Sequence, residues 1–162
     1  MLLLMNFLMD MCMAQDAITN NQLASTLLLV EPTVSQLREI SDYVKHYQLD
    51  GEGMQAHQFV AVYSNEKLVG FGRVRTHNDC RELCTLAVVK EYRGKGVGSH
   101  IVRSILEKAG SNLYLTCIIP DFFSAFGFTI INSSIPDSMQ RKRKRCSEIF
   151  PVKENYFIMY KP

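Results

Sequence analysis

The spacing of hydrophobic residues along this chain predicts alternating strands and helices. Short apolar runs bounded by glycine, asparagine or charged residues indicate strands. Segments in which apolar residues recur every three or four positions, such as Ile101, Val102 and Ile105, indicate amphipathic helices. The predicted strands are 27–30, 59–63, 68–75, 82–89, 113–118, 128–131 and 156–160, the predicted helices are 34–47, 99–109 and 121–126, and 48–56 is a loop or short helix.

Two local signals support this order of elements. Thr33 and Gln36 match a capping box, which marks the start of a helix. Residues 64–67 form a polar turn between two strand-like runs and therefore predict a hairpin. No repeat or linker divides the chain, so residues 25–162 are predicted to form one domain.

The start of the chain needs a separate interpretation, because residues 1–13 are rich in leucine and methionine. This segment has no basic residue, Asn6 and Asp10 interrupt it, and it is too short to span a bilayer. We therefore predict that residues 1–24 are a helical extension that packs on the domain or on a second subunit. No membrane partner is expected.

Composition limits the class of protein. The chain has 162 residues, 47% of them hydrophobic and 21% charged, which is typical of a globular domain. A formal net charge of +2 gives no reason to expect nucleic acid as a partner. Five irregularly spaced cysteines argue against a disulfide framework and predict a cytoplasmic protein. His77, Cys80 and Cys84 lack a fourth ligand at zinc-like spacing, so no metal is predicted.

The most distinctive segment is the glycine-rich turn that leads into the predicted helix 99–109. A turn of this kind directs several backbone N–H groups and the positive end of the helix dipole at one point. Gly96 and Gly98 allow close approach of a ligand, and Arg93 and Lys95 add positive charge. The segment therefore predicts a site for a phosphate-bearing ligand.

The spacing of the glycines excludes two common phosphate-binding loops. The chain contains no Gly-x4-Gly-Lys-Ser/Thr string, and its alternating glycines do not follow Gly-x-Gly-x-x-Gly. Arg93, Gly96 and Gly98 instead spell Arg-x-x-Gly-x-Gly after an apolar strand, a pattern that resembles the coenzyme A-binding signature of the GNAT acetyltransferase superfamily. The resemblance covers residues 27–162, and residues 68–128 are its specific part.

This resemblance implies a fold and a set of ligand contacts. The fold would be an α/β (α+β) GNAT fold, a central mixed and mostly antiparallel sheet of six to seven strands with helices on both faces. Backbone groups of one strand would bind the pantetheine arm, and the glycine loop would bind the diphosphate. The implied coenzyme-binding residues are Leu86, Ala87, Val88, Arg93, Gly94, Lys95, Gly96, Val97, Gly98 and Ser99.

Glu82 is the candidate catalytic residue. It stands where histone-modifying members of the superfamily carry a general-base glutamate, and acetyl transfer needs a neutral amine. Strand alternation predicts that Glu82, Cys84 and Leu86 share one face. The alternative is that Glu82 is a solvated charge at a strand entrance.

The chain departs from the family pattern at Phe123, which occupies the position of a tyrosine that protonates the departing thiolate. Cys117 and Ser124 are alternative donors, although a core thiol and a surface hydroxyl are the plainer interpretations. The acetyltransferase domain of bacterial N-acetylglutamate synthases also lacks this tyrosine. That domain contains a segment similar to Leu115-Thr116-Cys117. It also contains a segment similar to Ile135-Pro136-Asp137-Ser138, which is followed by a basic stretch.

The basic stretch in this chain is residues 141–145, which has four possible interpretations. Arg141 and Arg143 could bind an acidic substrate, or the cluster could bind the 3′-phosphate of the coenzyme. A nucleic-acid patch is disfavoured, because no aromatic residues are interleaved. The plainest interpretation is a solvated loop between the last two strands.

Together these features predict a cytoplasmic N-acetyltransferase that uses acetyl-CoA and a small-molecule amine, for example an amino acid such as glutamate. The alternative is a module of the same fold that binds acyl-CoA as a sensor without turnover. A homodimer through the apolar segment 156–160 is a further expectation.

Overall fold

A computed structural model describes residues 27–149 and 155–162 of the protein. These residues form a seven-stranded sheet in the order β1-β2-β3-β4-β5-β7-β6. The strands are β1 (Leu27–Val30), β2 (Phe59–Ser64), β3 (Lys67–Thr76), β4 (Arg81–Val88), β5 (Leu113–Cys117), β6 (Thr129–Ile130) and β7 (Phe157–Lys161). The helices are α1 (Val34–His46), α2 (Val97–Ala109), α3 (Pro120–Ser124) and α4 (Asp137–Ile149). The predicted extension 1–24 lies outside the described residues.

The two faces of the sheet carry separate hydrophobic clusters, each covered by a helix, as predicted. Ile40 and Val44 of α1 are buried against one face, and Ile101 and Ile105 of α2 against the other. The capping box at Thr33 is present and starts α1. Gly72 lets α2 lie close to β3, because an added Cβ would stand 2.7 Å from Ile105 Cδ1.

The parallel pair β4–β5 is the feature that opens the sheet. All other neighbouring strands pair antiparallel, whereas β4 and β5 pair only at Arg81 with Leu113 and at Glu82 with Tyr114. Beyond these pairs the two strands diverge. A gap therefore opens between the carboxyl end of β4 and that of β5.

A β-bulge in β4 reverses the expected alternation of its side chains. Thr85 has φ +53°, and Thr85 and Leu86 together stand opposite the single residue Gly72. As a result Leu86 packs with Leu83 in the cluster beneath α2, whereas Ala87 joins the cluster beneath α1. The prediction that Leu86 shares a face with Glu82 is therefore wrong.

Residues 141–145 are not a loop. They lie within α4, and this run of arginine and lysine has the high helix propensity that favours such an element. Met139 is fully buried and anchors the first turn of α4 to the domain. The basic residues consequently point in different directions around a helix.

Two smaller expectations concern the segment 48–56 and strand β7. Between α1 and β2 the described chain is a loop that ends in the short 3-10 segment Ala56–Gln58, as one of the two predicted alternatives requires. Strand β7 pairs with β5 along its length and with β6 at Met159 and Tyr160, and the homodimer through 156–160 stays a prediction.

Candidate active site

The glycine-rich turn forms a cavity at the start of α2. Gly96 caps this helix with φ +77°, a left-handed backbone that glycine adopts more readily than other residues. The cavity has a volume of about 430 Å³. From the predicted set it is lined by Val88, Arg93, Gly94, Gly96, Val97, Gly98 and Ser99.

Arg93 ties this turn to the end of β4. Its Nε donates a hydrogen bond to the Val88 carbonyl oxygen at 3.1 Å, and its guanidinium lies 5.8 Å from the centre of the Tyr47 ring. The Val89 N–H donates to the Val69 carbonyl on β3 at 2.9 Å. Because backbone groups alternate along a strand, the Val88 N–H points away from β3 into the gap, and Ala87 directs its own groups toward β3.

A second cavity, of about 470 Å³, lies on the other side of the gap. Leu86 lines this cavity and Val88 lines the first, so the two adjoin at the carboxyl end of β4. We call the second one the Glu82 cavity. Its polar and charged lining comes from five parts of the chain and includes Asp50, Glu52, Glu82, Thr85, Thr116, Lys142, Arg145 and Tyr156.

Glu82 is buried at this cavity, with 1% of its side chain exposed. Its Oε2 lies 2.9 Å from Nε2 of His77, and its Oε1 lies 3.4 Å from Nζ of Lys142. The alternative of a solvated charge is therefore wrong. The carboxylate is paired on both oxygens while still facing a cavity.

Lys142 joins Glu82 to the loop before β2. Its Nζ lies 2.5 Å from Oδ2 of Asp50, and Arg75 Nη1 lies 3.3 Å from the same oxygen. Burial opposes ionisation of Asp50, but the charge and hydrogen bond of Lys142, the Glu52 N–H and the charge of Arg75 together outweigh it and lower the pKa of Asp50 to about 2. Burial likewise disfavours the charged form of Lys142, yet the Glu82 and Asp50 carboxylates raise its pKa above the ordinary range.

The helix phase of α4 decides which basic residues reach this cavity. Lys142, Arg145, Cys146 and Ile149 follow i, i+3, i+4, i+7 spacing and line it. Arg141 and Arg143 instead line a separate open groove on the outer side of α4. Arg141 and Arg143 therefore lie away from Glu82, and their substrate-binding role stays a prediction. Helical spacing applied to 141–149 would have singled out Lys142 and Arg145.

The position of the missing tyrosine is filled by an aromatic core residue. Phe123 is buried and packs edge-on against Phe122, with ring centroids 5.0 Å apart. Ser124 lies on the surface, where its Oγ donates to the Pro120 carbonyl, so it is not placed to protonate a thiolate in the gap. Cys117 lines the Glu82 cavity, and burial raises the pKa of its thiol to about 12.

Two further observations concern the described residues as a whole. Residues 27–149 and 155–162 contain no cluster of three or more potential metal ligands, and the four cysteines among them are not joined in disulfides. In this part of the chain no helix has the length and hydrophobicity needed to cross a membrane.

Solved structures of similar fold come from several acetyltransferases. N-acetylglutamate synthase from Neisseria gonorrhoeae, complexed with coenzyme A and L-arginine, matches 84% of this chain with a TM-score of 0.65 and 15% identity. The match covers 33% of that chain, so the present protein spans about a third of its length. Rv2747 from Mycobacterium tuberculosis, in complex with coenzyme A, matches 83% of this chain and 99% of its own, with a TM-score of 0.63 and 19% identity.

A third similar structure has an acceptor attached to the coenzyme. Arabidopsis thaliana Naa50, in complex with the bisubstrate analogue CoA-Ac-MVNAL, matches 83% of this chain and 97% of its own, with a TM-score of 0.57 and 17% identity. No curated protein sequence matches the chain. The family model "Acetyltransferase (GNAT) family" matches residues 22–128, a segment that includes the bulged strand, the diverging pair and the glycine loop. The chain therefore belongs to the GNAT family of acetyltransferases.

Proposed function

We propose that the protein is an N-acetyltransferase that transfers the acetyl group of acetyl-CoA directly to the amine of a small acceptor. The observation that carries this proposal is the meeting of two cavities at the gap between β4 and β5. One cavity offers backbone donors suited to a diphosphate, and the other offers a buried carboxylate suited to an amine. A thioester held in the gap would lie between them.

The coenzyme half of the site rests on backbone groups. The diphosphate would bind the N–H groups at the start of α2, with Arg93 at the cavity adding charge. The pantetheine arm would run along the end of β4. There the Val88 N–H, directed into the gap, would donate to the thioester carbonyl oxygen as negative charge develops on it. The similar structures solved with coenzyme A support this assignment.

The acceptor half supplies the base. An amine arrives as an ammonium ion, and Glu82 removes one proton so that the nitrogen lone pair can attack the thioester carbon. The new carbon–nitrogen bond forms, the carbon–sulfur bond breaks, and the second proton leaves the nitrogen and ends on the coenzyme thiol. Since Phe123 cannot donate a proton, the thiolate leaves without a tyrosine, as is feasible for a group whose pKa is about 8.5.

We further propose an amino acid, with glutamate as the first candidate, for the acceptor. Arg145 lines the cavity with 64% of its side chain exposed, and its ion-pair contact with Glu52 Oε2 is long at 3.7 Å. It could therefore bind a substrate carboxylate. The similarity in fold to N-acetylglutamate synthase agrees with this choice.

A panel of amines tests the proposal. Purified protein is incubated with acetyl-CoA and each of glutamate, other amino acids, peptides with free N-termini and a polyamine, and free thiol is measured over time. We expect thiol release that depends on the amine and yields the N-acetyl product by mass spectrometry. Stabilisation of the protein by acetyl-CoA without acetylation of any amine would overturn the proposed enzymatic function. It would favour the acyl-CoA sensor, an alternative that phenylalanine in place of tyrosine at Phe123 also supports.

Location and assembly complete the proposal. The unpaired thiols of the described cysteines suit a reducing cytoplasm, which supports that location. A homodimer through segment 156–160 is part of the proposal, and sedimentation of the purified protein would measure it.

A further inference from the structure

The Glu82 carboxylate is held unequally by its two partners. His77 contacts one oxygen at 2.9 Å, whereas Lys142 contacts the other at 3.4 Å and lies closer to Asp50, at 2.5 Å. The shorter contact fixes the rotation of the carboxylate. Oε1 of Glu82 is therefore the oxygen with the longer and weaker contact.

His77 is itself rigidly placed. It is the first residue of the turn between β3 and β4, and its backbone N–H donates to the Cys80 carbonyl at 2.8 Å. Asp79 of the same turn accepts a hydrogen bond from the Ser138 N–H at 3.0 Å, which ties the turn to the start of α4. The imidazole therefore cannot move far from Glu82 without opening these contacts.

His77 also differs from Lys142 in how it can hold Glu82. Lys142 is shared between two carboxylates and lies nearer to Asp50, whereas His77 Nε2 contacts Glu82 at hydrogen-bond distance. The ammonium group carries three donors that rotate on a flexible stem, while the imidazole ring donates along one fixed direction. His77 is thus the contact that sets the orientation of the Glu82 carboxylate.

We propose that His77 is a positioning residue that orients Glu82 for proton abstraction. This inference rests on the proposed acetyltransferase function and deepens it. The Nε2–H of His77 donates to Oε2 and leaves Oε1, the oxygen with the longer contact, to take the proton of the acceptor ammonium.

The test compares His77→Ala, His77→Gln, Glu82→Gln and the double variant Glu82→Gln/His77→Ala, using kcat at several pH values and the affinity for acetyl-CoA. Glutamine retains an N–H at the place of Nε2. We expect His77→Ala to lower kcat about tenfold with little change in acetyl-CoA binding, and His77→Gln to restore most of it.

The double variant separates positioning from general structural damage. Because His77 acts through Glu82, adding His77→Ala to Glu82→Gln should lower kcat by less than about twofold further. A full additional tenfold loss, or a kcat of His77→Ala equal to wild type at every pH, would overturn the inference. Failure of the wild type to acetylate any amine would overturn the proposed function and this inference together, whereas an active wild type with an unaffected His77→Ala overturns this one alone.

Discussion

Replacing Lys142 with methionine would test the ion-paired network beneath the acceptor cavity. The substitution keeps the length of the side chain but removes the charge between Asp50 and Glu82. Burial raises the pKa of Asp50, but Lys142, the Glu52 N–H and Arg75 together lower it from its ordinary 3.8 to about 2, and Lys142 is the largest of these partners. This shift corresponds to about 2 kcal/mol of stability at neutral pH. Since Glu82 also loses a partner, we expect Lys142→Met to destabilise the domain by about 2–4 kcal/mol.

The effect should depend on pH in a defined direction. A carboxyl whose pKa is depressed on folding stabilises the protein above its unfolded pKa, and this contribution is lost as pH falls through the folded value. The difference between wild type and Lys142→Met should therefore be full at neutral pH. It should shrink between about pH 4 and about pH 2, as Asp50 becomes protonated in both proteins.

Urea unfolding followed by circular dichroism at several pH values measures this difference, and Lys144→Met is the matched control. Lys144 lies on the same helix, is 79% exposed, and contacts Glu148 at 4.0 Å. Its replacement should change stability by less than about 0.5 kcal/mol. If the two methionine variants were equally stable at neutral pH, the network would not have the energetic role that we derive for it.

Three further predictions follow from the site and the sheet. Glu82→Gln should lower kcat about a hundredfold or more without weakening acetyl-CoA binding, and unchanged rates across the pH range would remove Glu82 from the mechanism. Arg145→Ala should raise KM for a carboxylate-bearing acceptor several-fold, whereas Arg141→Ala should not, and the reverse ranking would restore the outer groove as the substrate site. Gly72→Ala should destabilise the domain by about 1–3 kcal/mol, because its Cβ would stand 2.7 Å from Ile105 Cδ1, and an unchanged melting temperature would contradict this packing.

The glycine loop and the succession of strands could be predicted because they depend on local signals. The left-handed backbone at Gly96 depends on residues close to it in sequence rather than on distant contacts. An apolar run such as 59–63 likewise has few alternatives to a buried strand. The local pattern therefore carries most of the information about these elements. The α/β architecture with helices on both faces, which the family resemblance implied, is confirmed.

The acceptor side of the site depends on long-range geometry, and the sequence was a weaker guide there. The bulge at Thr85 turned Leu86 to the other face, and only the pairing with Gly72 reveals the extra residue. The basic run 141–145 was interpreted as a loop because charge masked a helical spacing of cavity-lining positions. Asp50 and Lys142, the residue that joins it to Glu82, come from distant parts of the chain, and no motif links His77 to Glu82 although only five positions separate them.

The most direct test of the account is calorimetric titration of acetyl-CoA into the wild type and into Gly96→Asp. Aspartate tolerates the left-handed backbone of Gly96, but its charge would repel a diphosphate at the start of α2. Gly53→Asp is the control, since Gly53 also has a positive φ, +59°, with no atom within 4 Å of an added Cβ. We expect one molecule of acetyl-CoA to bind per chain, with an affinity at least about tenfold weaker in Gly96→Asp than in the wild type or Gly53→Asp. Absence of binding to the wild type, or equal affinity in all three proteins, would contradict it.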